Sequence, residues 1–243
     1  MKLLKADDQR RVQVPGVPGR VRRPVDIDRA QTAFAHLRSL RIYCFDADSV
    51  INGHAEEDEV LIVVVTGSVE LTMSENDMQV SSSPLFLSAA SDSQSKPCAA
   101  YLPPHAAYRL IPRGNAEVAY ARATPPGGRP ATVFNSQASP GQFGVTVLLK
   151  ENAYPQQLRV RLLQIKALQQ EISFAPIPDP DATCEALVHI RIVPAERGAT
   201  LTDADGRTSP FESWDTLAVA PGDCPTVRFA MGSSALVLVV LAA

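Results

Sequence analysis

The hydrophobic positions of this chain recur in short runs, and alternation with a period of two is far commoner than helical spacing. Val60-Leu-Ile-Val-Val-Val-Thr66 is an unbroken apolar run between an acidic stretch and Gly67, which predicts a strand buried on both faces. Ser68–Met73 alternates Val69 and Leu71 with polar residues and predicts a half-exposed hairpin partner. Arg41–Asp46 sets Ile42 and Cys44 against Tyr43 and Phe45. The same reading places strands at Met78–Ser81, Leu85–Ser88, Ala99–Leu102, Tyr108–Ile111 and Glu117–Ala123. Further on it places them at Val145–Leu149, Leu158–Lys166, Ala186–Val193, Thr200–Thr202, Thr216–Ala220, Val227–Ala230 and Ala235–Leu241. Leu158–Glu171 contains helix formers, but Val160 and Leu162 alternate with Arg159 and Arg161, so its first half reads as strand. One helix is predicted, over Asp28–Leu40, with Asp28 as N-cap and Ala33, Phe34, Leu37 and Leu40 on one face.

Turn residues divide the pattern. Twenty prolines and thirteen glycines favour short strands with frequent turns. Ser88–Lys96 and Ala175–Ala182 read as loops, and Thr124-Pro-Pro-Gly-Gly-Arg-Pro130 is the strongest breaker and the natural linker. Residues 1–25 show no periodicity and read as an extended, arginine-bearing arm. On either side of the linker the pattern repeats. Tyr101-Leu-Pro-Pro-His-Ala-Ala-Tyr-Arg-Leu-Ile-Pro-Arg-Gly114 corresponds to Val219-Ala-Pro-Gly-Asp-Cys-Pro-Thr-Val-Arg-Phe-Ala-Met-Gly232. Upstream, Glu59-Val-Leu-Ile-Val corresponds to Glu185-Ala-Leu-Val-His. The expected fold is all-β: an N-terminal arm and short helix (1–34), a first barrel (35–124), a linker (125–144) and a second barrel (145–243) from an internal duplication.

At 243 residues and 45% hydrophobic content, two domains with sizeable cores are affordable in length. A net charge of −3 gives no electrostatic case for nucleic acid or an anionic membrane. Cys44, Cys98, Cys184 and Cys224 form no Cys-x-x-Cys or zinc-spaced pattern and read as reduced thiols of a cytoplasmic protein. Met1-Lys-Leu-Leu-Lys5 lacks the apolar stretch of a signal peptide, and Ala235–Ala243 is too short to span a bilayer. There is no Gly-x-Ser-x-Gly elbow or phosphate loop, and Gly127-Gly128 lacks the strand-before, helix-after context of a nucleotide site.

The stretch Asn52-Gly-His-Ala-Glu-Glu-Asp-Glu59, followed by the apolar run and Gly67, resembles the first sequence motif of the cupin superfamily. In that motif two histidines one residue apart and a glutamate bind a divalent metal inside a small jelly-roll barrel. His54 falls on the second histidine, Glu59 on the glutamate, and Asn52 occupies the first histidine's place. Tyr101–Gly114 and Val219–Gly232 resemble the second cupin motif, in which Tyr108 and Thr226 fall on its histidine. A duplicated cupin is a bicupin. Within the bicupins the first half is similar to the 5-deoxy-glucuronate isomerase and 5-keto-4-deoxyuronate isomerase family, through the Gly67 hairpin, Tyr101-Leu-Pro-Pro104 and Glu117-Val-Ala-Tyr120. The second half is also similar to the C-terminal barrel of class I mannose-6-phosphate isomerases, through Leu217-Ala-Val-Ala-Pro-Gly-Asp223 and the apolar last strand. The Pro-Pro-His-Lys-His-Asp metal motif of the deoxyglucuronate isomerases is not reproduced.

The resemblance implies a site in the first barrel. His54, Glu59 and Tyr108 are its candidate acid–base groups, with Asn52, His105 and Arg109 as ligand-binding residues. His54, Glu59 and His105 are the candidate ligands for one divalent metal, the alternative being no cofactor at all. Glu59 is read two ways. Either it is a buried carboxylate on the face of Leu61, Val63 and Val65, partnered by His54, His105 or Arg109, or it is a solvent-facing strand end. In the second barrel the corresponding places hold Pro178, Pro180, Glu185 and Thr226, which argues against a metal there. His189 and Arg191 share a strand face and are expected in solvent, or else in a cleft. Trp214 is expected to anchor a core or interface.

Three functions follow: a bicupin holding a small polar ligand such as a sugar or sugar acid, a metal-dependent sugar isomerase or dioxygenase, and a structural protein. The last would pair as a homodimer through barrel edges, with residues 1–25 exchanged. The first is the reading adopted, with a small molecule as partner and neither nucleic acid nor membrane.

Overall fold

The computed structural model describes residues 1–75, 78–79, 83–89, 96–125, 130–136, 139–140, 145–149, 158–167, 172–174, 184–193 and 198–242. Strands account for nearly all regular structure within them, and the single helix is one turn, Arg29–Thr32. Asp28 caps it in a capping box with Gln31, as its sequence predicts, but Ala33 adopts a left-handed conformation (φ 61°) and ends it. The expected continuation to Leu40 is lost to tertiary pairing. Leu37–Phe45 is a strand bonded on one side to Arg20–Asp28 and on the other to Ala116–Ala123.

Two barrels result, each made of a large sheet closed by a smaller one. The first large sheet runs Thr132–Asn135, Pro97–Leu102, Glu59–Thr66, Ala116–Ala123, Leu37–Phe45, Arg20–Asp28, Arg11–Gln13. Opposite it lie Ile51–His54, Ala107–Pro112, Ser68–Glu75 and Met78–Gln79, with Leu85–Ser88 also on Ser68–Glu75. The second large sheet runs Lys2–Leu4, Thr216–Val219, Glu185–Val193, Ser233–Ala242, Arg159–Ala167, Val145–Leu149, Ser139–Pro140. Its companion is Ile172–Phe174, Thr226–Phe229, Ala199–Thr202, Thr208–Phe211.

The duplication extends to an exchange of edge strands. Lys2–Leu4, at the start of the first half, pairs with Thr216–Val219 of the second barrel. Thr132–Asn135, at the start of the second half, pairs with Pro97–Leu102 of the first. The expected arm is therefore built of strands and contributes to both barrels, and part of the expected linker is a strand. Each exchanged strand covers an edge that would otherwise present unpaired backbone groups. Val60–Thr66 and Ser68–Met73 do not form the expected hairpin. They belong to different sheets, and Gly67 (φ 75°) is the corner between them, where a Cβ would lie 2.5 Å from the Asn115 carbonyl.

Three apolar clusters explain the unbroken run. Val60, Ile62 and Val64 point into the first barrel with Leu71, Leu110 and Val118. Leu61, Val63 and Val65 point out of it, into a layer shared with Leu187, Leu238 and Val240 of the second barrel. A third cluster around Val188, Ile190, Phe211 and Phe229 fills the second barrel. A strand between two dry faces has no polar side to alternate with. Glu185 ties the layer together. Its carboxylate accepts from the backbone N–H of Ala35, His36 (2.8 Å) and Leu37 (2.8 Å), fixing the first barrel's strand entry to the second barrel.

Residues 90–95 of the expected loop Ser88–Lys96, residues 126–129 of the linker breaker including Gly127-Gly128, and the loop Ala175–Ala182 fall outside the described residues, as do Pro178 and Pro180. No helix among the described residues is long and apolar enough to cross a membrane.

Candidate functional site: the mouth of the first barrel

Strand Ile51–His54 alternates Ile51 inside the barrel with exposed Asn52, then Gly53 inside with exposed His54. Its partner Ala107–Pro112 places Tyr108 inside, directly opposite Gly53, and Arg109 outside, opposite Asn52. Asn52, His54 and Arg109 thus share the outer face of the small sheet, around a depression of about 250 Å³ that also borders Thr72 and Ser74. His105 sits in the turn before the strand with φ 65°, exposed, its Nε2 3.7 Å from Glu57. Glu59 is fully buried on the face of Leu61, Val63 and Val65, but that face lies between the barrels. There it accepts from the Tyr101 hydroxyl at 3.2 Å.

His54, Glu59 and His105 therefore occupy three separate surfaces and do not converge as a metal site. The inward positions around the expected place are Ile51, Gly53, Val60 and Tyr108, a set that does not suit a divalent ion. Among the described residues no group of three or more His, Cys, Asp or Glu side chains is disposed to hold one. The physical reason is register. Side chains on a strand alternate sides, so placement one residue out moves every candidate to the opposite face.

What the barrel does present is a cavity of about 390 Å³ at its mouth. It is lined by Ser39, Arg41, Tyr43 and Phe45 from one strand and by Tyr120 and Arg122 from the next. Ile51, Asn52, Glu56 and Tyr108 complete the wall, and Val14 and Pro15 of the N-terminal segment close over it. Tyr43 stacks on Phe45 (centroids 5.4 Å apart) and meets Tyr120 edge-on at 5.5 Å, while Tyr108 lies 5.9 Å from Tyr120. Gly53 is what admits the Tyr108 ring, since a Cβ there would collide with its Cζ and hydroxyl and stand 2.7 Å from Cε1. Burial holds the Tyr108 phenol up at about 12 and the Tyr120 phenol well above the ordinary value of 10, so both remain protonated at neutral pH.

The rim is cationic on one side. Arg10, Arg23 and Arg41 (3.1 Å) all engage the single carboxylate of Asp26, and Arg23 also donates to the Tyr43 hydroxyl at 3.0 Å. On the other side Arg122 ties the loop down through Glu56 (3.1 Å) and the carbonyls of His54 (2.6 Å) and Ala55 (3.1 Å). Asp58 lies between Arg38 (2.8 Å) and Arg122 (3.6 Å). Burial still raises its pKa, with the two guanidiniums opposing the shift. Tyr43, Tyr120, Arg41, Arg122 and Gly53 are absent from the sequence-based candidates. Their signal was present as alternation, with Ser39, Arg41 and Tyr43 in register beside Arg122, Tyr120 and Val118.

Among the described residues the second barrel's interior is filled by aliphatic and phenylalanine side chains. His189 is 1% exposed, contrary to the expectation of solvent. It lies between the barrels at 5.6 Å from Trp214, with Nδ1 3.3 Å from Thr216 Oγ1, and burial lowers its pKa to about 3. Arg191 pairs with Glu117 of the first barrel and lies 5.0 Å from the Trp214 ring, and Arg22 lies 5.3 Å from it. Trp214 is thus the interface anchor expected.

Tandem jelly-roll barrels with one polar cavity at a barrel mouth define the class: this is a bicupin. A model of the KduI/IolB family matches residues 18–146, more than half of the chain, and the protein belongs to that family. No curated protein matches the sequence. Among solved structures it is similar to an IolB-like protein from Salmonella typhimurium LT2, with TM-score 0.70 and 12% identity over 96% of this chain and 93% of that one. It is similar also to the oxalate decarboxylase of Lactobacillus farciminis in its formate complex, with TM-score 0.68 and 8% identity over 100% and 86% of the chains. At these identities the likeness is one of fold.

Proposed function

We propose that the protein binds a small hydroxylated ligand, a sugar or sugar acid, at the mouth of the first barrel without a metal ion. The observation that carries this reading is the cavity itself. Three tyrosines and two arginines line about 390 Å³ at the barrel's mouth, while the described interior of the second barrel is apolar. Aromatic walls suit the apolar faces of a sugar ring, and hydroxyl, amide and guanidinium groups suit its oxygens. The charged groups in the cavity wall are Arg41 and Arg122 against the single carboxylate of Glu56, a positive excess that favours an acidic ligand. Membership of the KduI/IolB family supports a sugar-acid isomerase-like role. Of the sequence-based candidates, Tyr108 and Asn52 border this cavity. His54, His105 and Arg109 do not, and Glu59 serves the contact between barrels.

The test is thermal stabilisation by glucuronate and galacturonate, each beside its neutral sugar, for the wild type and Arg41→Met. A ligand at a hundred times its Kd stabilises by about 2.7 kcal/mol, an easily read rise in Tm. The expected result is stabilisation by the acids that Arg41→Met largely removes. Stabilisation unchanged in that variant, or none with any sugar, would refute the reading.

A further inference from the structure

Arg11, Arg20 and Arg22 have no part in the proposed function, yet they meet around a second cavity. It measures about 330 Å³ and lies between the hairpin of Arg11–Gln13 with Arg20–Asp28 and the loop that follows Phe45. We infer that this cavity is a site for a phosphate group, free or carried by a small organic molecule. It shares no lining residue with the barrel cavity, so it stands or falls apart from the sugar reading.

Strand pairing creates the site. Arg11 and Arg22 stand directly opposite each other across the hairpin, and Arg20 lies two residues along the same face, opposite Gln13. The alternate residues Val12 and Val21 pack on the first barrel's apolar cluster, which commits all three arginines to the other face. Like charges placed directly opposite one another repel. One carboxylate answers them, that of Asp8, which pairs with Arg22. Arg11 donates to the carbonyls of Asp8 at 3.1 Å and Arg10 at 3.3 Å, and among the described residues neither Arg11 nor Arg20 forms an ion pair. The charged groups of the cavity wall are therefore three arginines against Asp46.

Two sides of the cavity are built before a ligand arrives. Val17 and Val21 are anchored in the barrel's apolar cluster, and Arg22 is held by Asp8 and lies 5.3 Å from the Trp214 ring. Guanidinium donors that no carboxylate occupies match the several oxygens of a phosphate, which carries about two negative charges at neutral pH. Val17, Pro18 and Val21 give an organic remainder an apolar wall to lie against. A chain of net charge −3 with its arginines gathered at one such cavity suits a small phosphate compound, not a nucleic acid.

The experiment titrates inorganic phosphate and phenyl phosphate into the full chain by calorimetry, at about 0.15 M salt, where distant surface charges are screened. Melting curves establish that each variant is folded. The wild type should bind saturably, and Arg11→Gln and Arg20→Gln should each weaken binding about tenfold, the size of one charge-assisted hydrogen bond. Asp46→Asn should tighten it several-fold, a gain that a merely structural role would not produce. Arg207→Gln, which changes net charge equally at an exposed position far along the chain, should leave it unchanged. Tighter binding of the ester identifies an organic phosphate as the ligand, and equal or weaker binding identifies free phosphate. No saturable binding of either probe, or a loss in Arg207→Gln as large as in Arg11→Gln and Arg20→Gln, would overturn the inference. So would binding that survives both of those substitutions and is lost in Arg41→Met, since the anion would then belong to the barrel cavity.

Discussion

His189 offers a direct measurement of how dry the contact between the barrels is. The ordinary histidine pKa of 6.5 falls to about 3 here, because burial penalises the charged ring and the Arg191 guanidinium repels it. Between those two values the unfolded chain takes up a proton that the folded chain cannot hold. Stability contributed by His189 is therefore complete above pH 6.5 and declines as the pH falls, by about 1.4 kcal/mol per unit, until the folded pKa is reached. From about pH 7.5 to about pH 5 the loss is about 2 kcal/mol. Other buried groups titrate too. Glu117 and Asp58 have raised values, again through burial, and their contributions run the other way, being present at low pH and lost as the pH rises. A comparison with His189→Gln, with His189→Phe as a second variant that retains a ring beside Trp214, cancels these terms. Urea denaturation of all three proteins at the two pH values should show the wild type losing about 2 kcal/mol more than either variant. A variant that loses as much as the wild type would mean that His189 is protonated in the fold, and the dry interface would be wrong.

Two further substitutions test the fold and the cavity. Glu185→Ala removes the acceptor for three backbone N–H groups of residues 35–37 and should cost about 3 kcal/mol or more, read by calorimetry. Glu185→Gln should cost less, and a change within about 0.5 kcal/mol for Ala would show the clamp to be idle. Gly53→Ala should drive the Tyr108 ring from its place, remove ligand stabilisation and alter the near-ultraviolet tyrosine signal together. His54→Ala, one residue away on the outer face, should leave both intact. If His54→Ala abolishes ligand binding and Gly53→Ala does not, the inward and outward faces of this strand have been assigned the wrong way round.

Much of the architecture was legible in the residues. The apolar run at Val60–Val65, the alternation in Arg41–Asp46 and the paired Glu59 and Glu185 segments determined an all-β chain of two related barrels. These are local periodicities, and a strand's period of two is written directly into its sequence. The short capped helix start at Asp28 was legible for the same reason, since a cap is made within four residues. Its length was not, because Leu37 and Leu40 satisfy a helical stripe and a buried strand equally well, and only long-range pairing with Arg20–Asp28 and Ala116–Ala123 decided between them.

The site was decided by tertiary structure. A motif match fixes residue types and spacing but not which face of a strand looks inward, so His54 could be matched to a ligand position while lying on the outer face, away from the cavity. Of the two readings left open for Glu59, burial with Leu61, Val63 and Val65 is the one found, though it accepts from Tyr101 and not from His54, His105 or Arg109. The sequence carried no sign that this face meets a second barrel and not a cavity, because both environments are dry and select the same aliphatic residues. The exchange of Lys2–Leu4 and Thr132–Asn135 between barrels was equally hidden, since an edge strand finds its partner through backbone bonds that no side chain announces. The sequence by itself determined the strands and their duplication. Only the assembled barrels decided which side chains share the cavity, because burial is a property of what lies opposite.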